Sequence, residues 1–473
     1  MLNVASSLTL LVTLAVVAGC IYLIYHSTNK DRSPLQGAAL YRAQLTVRLC
    51  ILVGLGLVSL LPLGLIQSVS EERAALHQQV VKEIGQSWGS QQTLGGPALV
   101  IPYQYEKFTE TNVDGKVERQ RQVFDDEVVI LPHNLTLDAD LQHQFRTRGI
   151  YQSLVYQGDI SGEAEFTIDK PDMANLVKWD IDHARIVFGV SDNQAIEQVS
   201  RFNLAGEQQL PTLDSGTQLP NIYGMNTGFQ RRIALAPNQY QFTLSFALTL
   251  RGSEGLNILP LGDASHIHIK ADWPHPSFKG YLPASRTITD SSFDATWNIS
   301  HLTRNYPQVF SANVALGVTE VIANVTLFEP VTHYGKIERS LKYGILFILL
   351  TYIMLLIFEL GQKSRLSTVQ YLLVGCAMCL FYMLLLSLSE HMAFLSAYLA
   401  AAAVPLISIP LYVGSASRSK RQGGVMLLML VALYAVLYSI LQLEDYALLM
   451  GTGLLVVILL ILMYLTRHQA EPT

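Results

Sequence analysis

Two histidines at alternate positions, His266 and His268, form the most suggestive chemical pattern in the sequence. In an extended strand, alternate side chains point to the same face, so two imidazoles could bind one metal ion together. A third ligand would have to come from His275, Asp263 or Asp272. The pattern therefore predicts either a metal site or a solvated polar strand face.

Lys270 favours the polar face, because it would lie beside both histidines and a cation next to a metal ion is unfavourable. Cys376 and Cys379 form a C-x-x-C motif within an apolar run, but the second ligand pair that a zinc site needs is missing. The sequence also lacks a phosphate-binding glycine loop and the common hydrolase and kinase signatures. These observations predict a protein that is not an enzyme and that needs no cofactor.

A second chemical candidate is the stretch "KADWPHPSFKGYLPASR". Pro274 and Pro276 cannot donate to a sheet, so a strand that includes His266 and His268 should end at Trp273. We expect a rigid corner leading to the next strand, with Trp273 and Phe278 as core residues. His275 is fixed between the prolines and is a candidate recognition residue, as is Trp273.

The third candidate is "SLSEH", which holds Glu390 and His391. The two residues would fill a tight turn between membrane helices. A polar turn can simply mark the membrane boundary. Alternatively, the pair docks a neighbouring domain, with His391 making the contact sensitive to pH.

The elements that position these residues follow from composition. Of 473 residues, 50% are hydrophobic and only 15% are charged, which indicates a membrane protein. The net charge of −5 gives no indication of nucleic-acid binding. Seven apolar runs are long enough to span a bilayer. They are Leu8–Tyr25, Leu49–Val69, Leu341–Leu360, Val369–Leu388, Ala393–Val413, Val425–Leu441 and Ala447–Thr466.

Lysine and arginine concentrate in alternate short loops, which predicts the orientation of the chain in its membrane. The basic residues are Lys30, Arg32, Arg42, Arg48, Lys363, Arg365, Arg418, Lys420, Arg421 and Arg467. The N-terminus and the large middle domain should therefore lie outside the cytoplasm, and the C-terminus inside it. "VAGC" at Val17–Cys20 resembles a lipoprotein cleavage box, but no basic residue precedes the apolar run, which favours an uncleaved helix.

The middle of the chain reads as β structure after a helix that continues from the second span. In "YQFTLSFALTLRG", apolar residues alternate with small or polar ones, as in a half-buried strand. The predicted fold is a membrane α-helical bundle of about seven spans plus a large, mostly antiparallel β domain. The predicted segments are an extra helix (1–27), a cytoplasmic basic loop (28–48), a span (49–70), a β-rich domain outside the cytoplasm (71–337), a five-helix bundle (338–466) and a cytoplasmic tail (467–473).

Several segments together resemble the CreD family, the inner-membrane cell-envelope integrity proteins of Gram-negative bacteria. They include "GGPALVIPY", "DWPHPSF", "GYLPASR", "FDATW", "QYLLVG", "FYMLLLSLSEH" and "ALLMGT". The resemblance implies a large periplasmic domain, induction by envelope stress, and altered tolerance to colicins and β-lactams. It implies no catalytic residues. The first 47 residues add a helix and a basic loop ahead of the usual family start.

The expected function is support or sensing of cell-envelope integrity through the periplasmic domain, without catalysis. The expected partners are the lipid bilayer and envelope proteins or cell-wall components. Two alternatives stay open. One is a transporter or lipid-handling protein, and the other is a metal-dependent envelope enzyme built on His266 and His268.

Overall fold

The structure is a computed structural model that describes residues 37–113, 116–168, 175–235, 240–317, 321–327, 333–360, 366–442, 452, 453 and 456. The chain divides into two compact units. The helical unit comprises Met1–Leu76 and Val331–Thr473, and the β unit comprises His77–Pro330.

The described residues contain five helices that are long and apolar enough to cross a membrane. They are α1 (Gly37–Trp88), α2 (His333–Leu360), α3 (Thr368–Ser389), α4 (Phe394–Ala416) and α5 (Lys420–Gln442). Each coincides with one predicted span, so five of the seven expected spans have a helix. The predicted spans Leu8–Tyr25 and Ala447–Thr466, and the lipoprotein-like box, lie essentially outside the described residues.

Close helix packing in the helical unit depends on a small residue at Gly375 of α3. A Cβ atom there would lie 1.9 Å from the Tyr352 hydroxyl of α2, so any larger residue would displace the Tyr352 side chain or the helix. The same hydroxyl lies 3.5 Å from Ser59 Oγ of α1. Cys376 and Cys379, on the same helix as Gly375, are both free thiols.

The β unit is built from nineteen described strands. They are β1 (Gln92–Val113), β2 (Lys116–Ile130), β3 (Asn134–Arg148), β4 (Tyr151–Thr167), β5 (Leu176–Trp179), β6 (Arg185–Val190), β7 (Ile196–Leu204), β8 (Asp214–Ser215), β9 (Ile222–Tyr223), β10 (Gly228–Arg232), β11 (Gln241–Ser253), β12 (Gly255–Ile258), β13 (Ala264–Ala271), β14 (Pro276–Gly280), β15 (Ser285–Ile288), β16 (Phe293–Ser300), β17 (Val309–Ser311), β18 (Leu316–Gly317) and β19 (Ala323–Leu327).

These strands form two large sheets and one short pair. The ten-stranded sheet has the order β14-β19-β12-β1-β6-β10-β8, with β2 and β5 also paired to β1, and β17 paired to β2. The seven-stranded sheet has the order β15-β16-β13-β3-β4-β11-β7. Only the pairs β1–β12, β3–β13 and β9–β18 are parallel among the described strands. The mostly antiparallel β domain predicted from the sequence is confirmed.

The hydrophobic core of the β unit lies between the two sheets, because one apolar cluster contains residues of both. Phe188 of β6 and Phe246 of β11 have ring centroids 5.2 Å apart. Strand β11 shows the predicted alternation, since every second residue from Phe242 to Leu250 is buried. Alternation of this kind lets one sheet face pack on the core while the other meets water.

The proline-rich stretch departs from its prediction. The strand ends at Ala271, and the supposed corner contains two short strands, β14 and β15, that lie in different sheets. Pro276 starts β14 at the edge of the ten-stranded sheet, a position where the missing N–H is tolerated. The segment that contains these prolines therefore connects β13 of the seven-stranded sheet to β14 of the ten-stranded sheet.

The last turns of α1 pack within the β unit. Trp88 lies between two guanidinium groups, with Arg146 at 4.0 Å and Arg251 at 4.6 Å from the ring centroid. Its indole nitrogen donates to the Tyr156 carbonyl at 3.3 Å. The helical continuation predicted after the second span is confirmed as far as this tryptophan.

Candidate functional site

The two histidines of the H-x-H pattern lie on the solvent side of β13, as the alternation predicts. His266 and Lys270 are exposed and His268 is half-buried, whereas Ile267 and Ile269 face the core. The predicted polar face of this strand is therefore confirmed. What each histidine can bind depends on the side chains next to it.

His268 bridges three strands through two carboxylates. Its Nδ1 lies 3.1 Å from Asp138 Oδ1 on β3, and its Nε2 lies 2.9 Å from Asp294 Oδ2 on β16. A neutral imidazole carries one N–H, so only the protonated ring can donate to both carboxylates. Burial disfavours the charged form, but the hydrogen bonds to Asp294 and Asp138 outweigh burial and raise the pKa of His268.

The predicted third metal ligands make other contacts. Asp263 lies 3.1 Å from His133 Nδ1, and Asp272 lies 2.8 Å from His143 Nδ1. His275 is exposed beside Trp273. Within the described ranges, no group of three or more histidine, cysteine, aspartate or glutamate side chains could hold a metal ion. The structure therefore does not place His266 or His268 next to any of the predicted third ligands.

The His268 bridge makes a pH-dependence testable. Because the pKa is higher in the folded than in the unfolded protein, the stabilisation is complete below about pH 6.5 and is lost as pH rises through the folded pKa. We expect the free energy of unfolding of the β unit to fall by up to about 1 kcal/mol between pH 6 and pH 8 because of this bridge. The measurement is thermal unfolding of the full chain, followed by its β-sheet circular-dichroism signal.

The His268→Gln variant should lack this component of the pH dependence. His266→Gln is the matched control, because His266 Nδ1 faces the uncharged Asn298 Oδ1 at 2.6 Å. An unchanged pH dependence in His268→Gln would contradict the bridge.

Trp273 lies at the edge of the core, and His275 lies at the surface next to it. The Trp273 side chain is buried, and its ring centroid is 5.2 Å from His143 and 6.2 Å from Phe145. The His275 ring meets the tryptophan at 6.2 Å in an edge-on arrangement. The predicted core position of Trp273 is confirmed, and a recognition role for Trp273 and His275 stays a prediction.

Glu390 and His391 occupy the tight turn between α3 and α4, as predicted. The Tyr334 hydroxyl, in the first turn of α2, donates to Glu390 Oε1 at 3.1 Å. His391 is exposed. Glu390 therefore holds the turn against the start of α2, and a docking role for the pair stays a prediction.

The β unit also contains a cleft that sequence reasoning missed. Its volume is about 500 Å³, and its walls come from segments 102–104 of β1 and 125–127 of β2, Asp180, and loops near 218–221 and 312–313. The walls carry four carboxylates and four side-chain amides. A concave surface with convergent polar groups is the usual starting hypothesis for a binding site.

Asp126, one of the lining residues, is the centre of a hydrogen-bond cluster. Its carboxylate accepts hydrogen bonds from the Tyr103 hydroxyl at 2.9 Å, Ser311 Oγ at 2.9 Å, Asn313 Nδ2 at 2.6 Å and the Glu127 backbone N–H at 2.7 Å. Burial, together with the hydrogen bond to Asp126, raises the pKa of Tyr103. The tyrosine therefore remains a protonated hydrogen-bond donor to Asp126.

Two further carboxylates of the cleft are neutralised by cations. Glu127 forms a two-point ion pair with Arg185, whose side chain is buried. Asp180 lies 3.0 Å from both His183 Nδ1 and Lys178 Nζ, and these hydrogen bonds, from His183 first and then Lys178, lower the pKa of Asp180. Both carboxylates are thereby held in place.

The sequence did contain one signal for the cleft. "DDE", residues 125–127, places three consecutive carboxylates in a strand. Because successive side chains of a strand point to opposite faces, at least one of the three lies on the less exposed face. In the register of β1 with β2, Asp126 pairs with Tyr103 and Asp125 pairs with Gln104. The remaining walls come from distant loops and could not be inferred from spacing.

Residues 44–470 match the family model described as inner membrane protein CreD. The chain is also 33% identical over 423 residues to the inner membrane protein CreD of Escherichia coli (strain K12), which covers 88% of this chain and 91% of that protein. The chain belongs to the CreD family. The family resemblance inferred from the sequence motifs is thus confirmed.

Membership in the CreD family, together with five membrane-competent helices, supports an inner-membrane location for the protein. The CreD name itself carries no catalytic activity.

Proposed function

We propose that this CreD-family protein supports or senses cell-envelope integrity by binding an envelope component in the cleft of the β unit, without catalysis. In this proposal the β unit is periplasmic and the C-terminus is cytoplasmic. The concentration of lysine and arginine in alternate short loops supports this orientation.

The observation that carries the proposal is the cleft built around Asp126. Four donors hold the Asp126 carboxylate, and Arg185 holds Glu127. Pre-positioned polar groups of this kind give orientation and specificity to a binding site. Among the residues that the structure describes in the lining, there is no histidine, cysteine, serine or lysine, so these described residues supply no nucleophile–base pair of the usual kind.

Complementation in cells that lack the native copy tests this proposal. The wild-type chain should restore tolerance to envelope stress, measured as survival with a β-lactam. A variant with Gln104→Ala, Asp125→Asn and Asn221→Ala should insert at normal abundance but fail to restore survival, because the three changes remove polar groups from the cleft walls.

Glu254→Gln with Asp290→Asn is the matched control, since both residues are exposed and lie outside the cleft. This control should behave as the wild type. Full survival of the cleft variant at equal abundance would contradict the proposed function.

A further inference from the structure

Strand β2 has one edge that is paired along only a small part of its length. On the other edge, β2 pairs with β1 over the whole range Lys116–Ile130. On this edge, β17 pairs with it only at Val128–Ile130, and the Ala312 N–H then donates to the Glu127 carbonyl at 2.8 Å. Among the strands that the structure describes, none pairs with this edge in the residues of β2 before Glu127.

This free edge carries backbone donors and acceptors. Alternate residues of a strand direct their N–H and C=O groups to the same edge. Because Glu127 directs its carbonyl to the edge that β17 covers, alternate residues before it direct theirs to the free part, and these are Asp125, Val123 and Arg121. The edge lacks two of the usual blocks to strand addition, since residues 116–127 contain no proline and the register with β1 shows no bulge. Such an edge is a template for another extended chain.

Large apolar side chains are exposed beside the free edge. Val123 and Phe124 are 50% and 38% exposed, and Phe108, on the neighbouring strand β1, is 57% exposed. Exposed apolar groups that lie close together are typical of a surface that another protein covers. This feature favours a protein strand as the occupant of the edge.

The charges on either side of Val123 indicate which protein that is. Arg121 and Asp125 lie two residues before and two residues after Val123, so all three side chains point to the same face of the sheet. Arg121 is exposed and forms an ion pair with Glu106, but a guanidinium has several further N–H donors. Asp125 is exposed and accepts from Gln104 Nε2 at 2.8 Å, which leaves most of its acceptor positions. A strand with this order of charges is complementary to an antiparallel copy of itself.

We propose that two copies of this chain pair through the free edge of β2, antiparallel and centred on Val123. Two-fold symmetry then places Arg121 opposite Asp125 of the partner subunit, and the reverse. Opposite charges that face each other across a strand pair stabilise the pairing. Because Arg121 and Asp125 are equally far from Val123, no other centre matches them, and a centre at either one would bring like charges together. This inference goes beyond the proposed function of the cleft.

Disulfide crosslinking in native membranes tests the centre of the strand pair. In the full chain with its cysteines replaced by serine, Val123→Cys would bring two thiols together at the two-fold axis. Residues that exchange hydrogen bonds across an antiparallel pair have Cα atoms about 5.5 Å apart, which suits a disulfide. Oxidation should therefore convert most of the Val123→Cys chain to a covalent dimer.

Val177→Cys is the matched control, because Val177 is an exposed valine of β5, which pairs with the opposite side of β1. It should stay monomeric on oxidation. Equal crosslinking at the two positions, or none at position 123, would overturn the inference.

A charge exchange tests the register. The dissociation constant of the full-chain dimer is measured by analytical ultracentrifugation in density-matched detergent. Arg121→Asp should weaken the dimer at least about tenfold, because both symmetric contacts change from attraction to repulsion. The double variant Arg121→Asp with Asp125→Arg should return to within about threefold of the wild type, since the charge order is then only reversed.

Arg286→Asp is the control for the charge change, because Arg286 is exposed on β15 of the other sheet, and it should leave the dimer unchanged. A wild-type chain that sediments as a monomer, or a double variant as weak as Arg121→Asp, would overturn the inference. Arg121 is outside the described cleft lining, and the readout is the oligomeric state, so such a result would leave the proposed function standing.

Discussion

The Trp297→Ala substitution is expected to lower the thermal unfolding midpoint of the β unit by about 6–20 °C, the equivalent of about 3–5 kcal/mol for the loss of a buried aromatic. Trp297 is fully buried on β16, and its ring centroid lies 5.8 Å from Phe278 of the opposite sheet. Its indole nitrogen also donates to the Tyr281 carbonyl at 2.8 Å. Removal of the ring would leave a cavity between the sheets and an unpaired carbonyl.

The measurement is the β-sheet circular-dichroism signal of the purified full chain during heating. His275→Ala is the control, because His275 is exposed and most surface changes alter stability by less than about 1 kcal/mol. If His275→Ala lowers the midpoint as much as Trp297→Ala does, the assignment of core and surface in this region is incorrect.

The faces of the strands could be predicted from the sequence because side-chain direction has a strict period of two. That rule placed His266 and His268 on one face of a strand, and the structure agrees, with Ile267 and Ile269 buried on the other face. The rule says nothing about which strands are neighbours. The carboxylates that fix His268 come from β3 and β16, and Asp138 is 130 residues distant in the chain.

The proline-rich stretch shows a second limit of sequence reasoning. Proline excludes a central strand but permits an edge strand, so Pro276 was compatible with a turn or with the start of β14. The choice depends on β19, which pairs with residues Pro276–Gly280 and is formed by a segment about 45 residues later. The residues around Pro276 do not indicate that they pair with this later strand.

The cleft was the least predictable feature. Its walls combine five chain segments between Pro102 and Asn313, and only the run of acids at 125–127 was unusual locally. By contrast, the turn of Glu390 was predictable from the two apolar runs that flank it. Its partner Tyr334 was not, because that contact depends on helix packing.

The central claim is that the β unit works on the periplasmic side of the inner membrane, and cysteine accessibility tests it most directly. The native cysteines Cys20, Cys50, Cys376 and Cys379 are first replaced by serine. A single cysteine is then placed either at Asp290 or at Ser419, and intact cells are treated with a membrane-impermeant maleimide that crosses only the outer membrane. Asp290 is an exposed residue of the β unit, and Ser419 lies between α4 and α5.

The expected result is all-or-none, because the inner membrane either separates the reagent from the thiol or does not. The cysteine at position 290 should be labelled in intact cells, and the cysteine at position 419 should be labelled only after the inner membrane is permeabilised. Protection of position 290 together with labelling of position 419 in intact cells would contradict the account, since the β unit would then face the cytoplasm.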